Sequence, residues 1–162
     1  MTLVELVAVL LVLVVLSALA LPKLRDLGTD ARIAAVNALA ASVHSATQKV
    51  KLALDAKGLS TSASAHTFLQ TDGQAYVRIW KGYPDRWWDG IGITQVAANT
   101  TISNYGSAAP VVYDQFTFYG FGGPLGNAGW VVTHAPTPTQ CSVQYVFDGS
   151  GEPAIVVTTR GC

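Results

Sequence analysis

Charge is scarce in this chain. Only 12% of its 162 residues are Asp, Glu, Lys or Arg, and ten cations balance ten anions. Average soluble proteins carry roughly 25% charged residues. With zero net charge and no long basic run, a broad electrostatic grip on nucleic acid is excluded. Cysteine occurs only twice, as Cys141 and Cys162, and histidine three times, as His44, His66 and His134. These histidines sit on a helix, in a polar loop and at a strand end, and no nucleophile-elbow motif accompanies them. No enzymatic activity is expected. Asp148-Gly-Ser-Gly-Glu152 lacks the alternating carboxylates of a calcium loop. Asp85 and Asp89 beside Trp87 and Trp88 read as a salt-bridged turn. The glycine-rich run from Phe118 to Gly126 has no phosphate-loop Lys-Ser/Thr ending. Neither a metal nor a cofactor is expected.

What the chain does have is apolar residues, which make up 50% of it and exclude disorder over most of its length. They are unevenly placed. Every Trp, Tyr and Phe lies beyond residue 65, whereas Leu3 to Leu21 is aliphatic except for Glu5 and Ser17. As a helix, that run would span about 28 Å, close to the ~30 Å hydrocarbon layer of a bilayer. A signal peptide would want a basic stretch before the run, and nothing basic precedes Lys23. Lys23, Arg25 and Arg32 after the run would place the following domain in the cytoplasm. The cysteine pair instead points to an oxidising compartment. Both fit if a basic leader once preceded Met1.

Glu5 is the anomaly. An ionised carboxylate within an apolar span costs a few kcal/mol unless it has a partner. One reading is an interfacial carboxylate at the membrane surface. The other pairs it with the α-amino group at residue 1 of a neighbouring chain, an attraction of about 4 kcal/mol before desolvation.

Beyond Pro22, Ile33, Val36, Ala40, Val43, Thr47, Val50 and Leu54 fall three or four residues apart, the stripe of an amphipathic helix. Gly58 is its expected C-cap. A helix over residues 2–57 would extend about 84 Å, more than a globular domain of this size covers, so its first half should project. Pro22 and Gly28 are expected to kink or loosen it, over Leu19 to Gly28.

Met1-Thr2-Leu3-Val4-Glu5-Leu6, the apolar run behind it and Pro22 together resemble the mature N-terminus of type IV pilins of the type IVa class. Pro22-Lys23, Asp30-Ala31-Arg32 and Asn37-x-Leu39 are most similar to the mannose-sensitive haemagglutinin pilins. The resemblance is firm over residues 1–55 and thin beyond. It implies an α+β pilin fold: a long kinked N-terminal helix packed on an antiparallel sheet, with a C-terminal disulfide loop. It also implies leader removal by a prepilin peptidase, a methylated Met1, and Met1 and Glu5 as assembly residues. The chain would reside in the bacterial inner membrane before assembly, with its domain extracytoplasmic. The assembly machinery would then build it into an extracellular helical homopolymer for adhesion, motility or related tasks. Alternatives are a pseudopilin of a type II secretion-like or competence machine, and a membrane-tethered extracytoplasmic binding domain.

Two segments are expected: residues 1–28, the apolar helix half, and 29–162, the globular domain. The latter divides into helix (29–57), loop (58–74) and sheet region (75–162). Strands are read at 75–80, 115–119, 129–133, 142–147 and 154–158, with a hairpin turn at Asp148-Gly149-Ser150-Gly151. Cys141 and Cys162 should bridge across this last hairpin. Trp87, Trp88, Tyr119 and Phe121 are candidate surface contacts.

Overall fold

The computed structural model describes residues 2–59, 67–70, 76–88, 92–98 and 109–162, without the side chains of 19–25, 67, 68, 94, 95 and 98. Among the described residues it is an α+β structure of two helices, antiparallel sheet and a C-terminal disulfide. Helix α1 runs from Leu3 to Ala56, 54 residues and about 81 Å. It is helical through Pro22 and Gly28, so the expected interruption is not shown. A proline deletes one intrahelical hydrogen bond, and the turns on either side, rich in Leu and Ala, can hold the helix together.

The C-terminal end of α1 forms where its backbone groups find partners. Lys57 is the C-cap, and Gly58 turns left-handed at φ +61°. Gly58 N–H donates to Asp55 and Leu59 N–H to Leu54, the reciprocal pair that closes a helix after a glycine.

Two sheets line the C-terminal half of α1. The smaller is antiparallel in the order β1 (Thr67–Gln70), β2 (Tyr76–Trp80) and β3 (Tyr83–Pro84). A short helix, α2 (Ile93–Ala98), follows it. The larger is a meander of β4 (Val111–Tyr113), β5 (Phe116–Tyr119), β6 (Ala128–Val132), β7 (Ser142–Val146) and β8 (Ala154–Thr158). A 3-10 turn at Pro138–Gln140 leads into β7. One sheet was the expectation, with 58–74 as loop, but that segment contains β1. The signal for β1 was weak because four residues are too few for alternation to emerge beside a Ser/Thr-rich stretch.

The stripe read from the sequence is the buried face of α1. Val36, Leu39, Val43 and Ala46 pack with Phe116, Phe118, Trp130, Val143 and Tyr145 of the five-stranded sheet, while Val50 and Leu54 pack with Leu69, Val77 and Ile79 of the three-stranded one. Thr47, also buried, donates its hydroxyl to the Val43 carbonyl. Strand β6, central in the larger sheet, is buried along its whole length.

The disulfide joins Cys141 to Cys162 across a separation of 21 residues. Around it, Thr137 N–H donates to the Gly161 carbonyl and Gly161 N–H to that of Gln140. Arg32 Nε donates to the Cys162 carbonyl, tying the chain's last residue back to α1.

Candidate functional site

Two regions stand out: the projecting half of α1 and a cavity where aromatics and arginines meet.

From Leu3 to Leu16, twelve Leu and Val side chains are exposed, between 46% and 79% each. A helix that is apolar all round is ordinarily buried, in a core or in lipid. At roughly 1.5–3 kcal/mol per large aliphatic side chain, the burial left unrealised is on the order of 20 kcal/mol. Among the described residues no helix is long and apolar enough to cross a membrane. The described side chains of this run end at Ala18, and sixteen residues rise only about 24 Å.

Glu5 sits in the first turn with a task inside its own chain. Its Oε2 accepts from Thr2 N–H at 3.3 Å, and Thr2 Oγ1 accepts from Glu5 N–H at 3.4 Å. This reciprocal capping box satisfies two N–H groups at the helix start and places negative charge at its positive end. The sequence motif Thr-x-x-Glu carried that signal. Met1, the other expected assembly residue, lies outside the described residues, as do Asp89 and His66.

The four candidate surface aromatics divide. Trp88 is a structural strut: its Nε1 donates to the Phe121 carbonyl at 2.9 Å, and its ring meets Tyr119 edge-on at 6.2 Å. A Cβ on Gly120 would stand 2.5 Å from Trp88 Cγ, so the glycine is there to admit the indole. Trp87 instead is 52% exposed. With Phe121, Trp80, Arg78, Asp85 and Arg86 it lines an open cavity of about 350 Å³.

The floor of that cavity is built. Asp85 is 4% exposed; its Oδ2 accepts from Arg78 Nε at 2.5 Å and its Oδ1 from Arg86 N–H at 2.7 Å. Its own carbonyl accepts from Ile93 N–H, fixing the start of α2. The salt-bridged turn expected at Asp85 is therefore present, with Arg78 as the cation. Arg86, whose part was not foreseen, places its guanidinium 3.6 Å from the Phe121 ring centre and 4.9 Å from that of Trp80. Its Nη1 donates to the Phe147 carbonyl. Only its position within Tyr83-Pro84-Asp85-Arg86-Trp87-Trp88 hinted at this, since Phe121 and Phe147 are distant in sequence.

Beneath lies Tyr145, whose hydroxyl donates to the Pro84 carbonyl at 2.9 Å. Burial above all, with Asp85 and Tyr83 adding and Arg86 opposing, pushes its phenol well above the ordinary range. It remains a neutral donor at any working pH. At the surface, the Asp148 carboxyl is held below its usual value by hydrogen bonds from the Ser150 hydroxyl and N–H. That is a turn-closing role, with Gly149 and Gly151 at positive φ beside it. Among the described residues no cluster of three or more His, Cys, Asp or Glu could hold a metal.

No family profile, curated protein or solved structure matches the chain.

Proposed function

We propose that the chain is a structural subunit that polymerises into a type IV pilus-like filament, the exposed apolar half of α1 forming the filament core. One observation carries this reading: an unbroken helix whose second half is clad by two sheets and whose first half offers Leu and Val on every side. Such a surface is soluble only when covered, and copies of itself supply a cover of equal length and chemistry. A lipid bilayer would hold the same surface before assembly, with the disulfide-closed domain on the oxidising side. The surface filament, its use in adhesion or motility, and processing at Met1 belong to the same proposal.

The capping box favours a second reading, a membrane-tethered binding domain, because it gives Glu5 a purpose that needs no neighbour. A pseudopilin, assembling into a short rod, would share the first reading's chemistry.

Glu5→Gln tests whether assembly uses Glu5 as an intermolecular charge partner, while the presence of any filament made of this chain separates the two main readings. Glutamine can still accept from Thr2 N–H, so the cap survives, but it offers no charge to a neighbour's amine. With an intermolecular charge pair at work, filament yield from cells carrying Glu5→Gln falls at least about tenfold, the equivalent of about 1.4 kcal/mol. Electron microscopy of the sheared surface fraction, with immunoblotting for total chain, measures it. Wild-type yield from Glu5→Gln would leave Glu5 as a helix cap alone.

A further inference from the structure

We infer that Arg32 is a clasp that fixes the point at which α1 leaves the domain, and that the Cys141–Cys162 disulfide holds the group it fastens to. Its bearing on assembly rests on the filament reading above; the contact and its test do not.

The clasp sits where the helix changes from bare to clad. The described side chains of α1 before Gly28 are exposed, and Gly28 and Thr29 are half-buried. Among the described residues Val36 is the first of α1 to be fully buried. Arg32 stands between. Its side chain leans back along the helix, the direction that helical geometry favours for long side chains. Nη2 donates to Thr29 Oγ1 at 3.2 Å, and a Cβ on Gly28 would lie 3.7 Å from Nη1. Nε donates to the Cys162 carbonyl, 130 residues away in sequence. One planar guanidinium thus joins a turn of α1 to the segment beyond β8, and its rigid fork holds the two at a set angle.

The acceptor is itself immobilised. Cys162 is bonded to Cys141, which is fully buried immediately before β7. Its N–H donates to the Thr159 carbonyl, while the neighbouring Gly161 accepts from Thr137 N–H and donates to the Gln140 carbonyl. Without the disulfide, Cys162 lies four residues beyond β8 and is placed by these turn contacts. Ile33 also touches the core, half-buried. Apolar packing resists withdrawal of the helix but is non-directional, whereas hydrogen bonds fix an orientation.

Leverage gives the clasp its consequence. Residues 3–27 form a lever of about 38 Å, so a tilt of about 10° at the clasp moves the far end by about 7 Å. That is most of the ~8–10 Å between the axes of packed helices, enough to lose register with a neighbour. With the clasp open, the pivot shifts towards Val36 and the lever lengthens by about 12 Å. The oxidised chain therefore presents its apolar half in one direction, and the reduced chain in many.

The test is hydrogen exchange, read by mass spectrometry on the full chain in detergent micelles. Arg32→Met keeps much of the side chain's apolar stem but donates nothing. Its amides at residues 26–35 should exchange at least about tenfold faster, while those of β6 keep their protection. A reductant added to the wild type should speed the same 26–35 amides by a similar factor, because it frees the acceptor. Added to Arg32→Met it should speed them no further, since the link it would break is already gone. Unchanged exchange at 26–35 in Arg32→Met would overturn the inference, and so would a loss of protection shared equally with β6. Additive effects of substitution and reductant would overturn it too, by showing that the disulfide acts on the helix without Arg32. Exchange is read on the unassembled chain, so failure here leaves filament formation untouched, and a chain that never polymerises could still carry the clasp.

Discussion

Replacing Cys141 and Cys162 together by serine should lower the unfolding free energy by about 3 kcal/mol, from chain entropy alone. The loop they close is long enough to give the unfolded chain considerable freedom once the bond is gone. Its loss also loosens contacts that depend on the chain end staying put. Cys141 is fully buried, and the Cys162 carbonyl receives Arg32 from α1. Gly161 is pressed against Thr137 and Gln140, where a Cβ would come within 2.5 Å of the Thr137 carbonyl oxygen. The double substitution avoids leaving one buried thiol to mispair. Thermal unfolding followed by near-ultraviolet circular dichroism should show the midpoint fall by about 10 °C. A reductant should do the same to the wild type and nothing to the double variant. An unchanged midpoint would mean that the C-terminal strand is held by β7–β8 pairing and packing alone.

Asp85→Ala should cost more, about 3–5 kcal/mol, because it removes one member of a buried ion pair. Arg78 is only 14% exposed in its side chain, and Asp85 is 5% by the same measure. The loss also removes the acceptor for Arg86 N–H. The fold would feel the change on two fronts: at β2, which carries Arg78, and at the turn leading to Trp87. Asp85→Asn combined with Arg78→Met should cost less than Asp85→Ala. It removes the charge from both ends and leaves an amide oxygen for the Arg86 N–H. Urea unfolding of the three proteins checks this ordering; a double variant less stable than Asp85→Ala would show that the ion pair itself, rather than the charge left on Arg78, carries the energy.

The parts of the fold legible in the sequence are those with a period long enough to repeat. The α1 stripe repeats from Ile33 to Leu54; Ile33 and Ala40 are half-buried at the edge of the core, and its other members are buried. The strands at β5 to β8 were bounded by clear turn residues, and Asp148-Gly149-Ser150-Gly151 turns between β7 and β8 as its composition predicts. The elements not foreseen are short. Helix α2 has six residues, β4 three and β1 four, too few for any periodicity, and tertiary contacts form them. Ile93 at the start of α2 is wholly buried against the core, for example.

The candidate sites divide in the same way. Glu5 stood out because a carboxylate interrupts an aliphatic run, although its pairing with Thr2 as a cap was not drawn from the Thr-x-x-Glu spacing. The cavity was only half visible. Trp87 and Phe121 were candidates as exposed aromatics, but Arg86 gains its place from Trp80, Phe121 and Phe147, which come from three separate segments. No local pattern announces such a convergence. Trp88 looked equivalent to Trp87 in sequence, and what separates them is the carbonyl of Phe121 and the space left by Gly120.

The most direct measurement of the central claim is electron microscopy of the surface fraction sheared from native cells, with mass spectrometry of the same material. The account predicts long, thin filaments in which this chain is the main protein, with density for the Leu3–Leu16 segment at the filament axis. Filaments without this chain, or the chain retained in the membrane fraction with no filament containing it, would contradict that account and leave the apolar helix as an anchor.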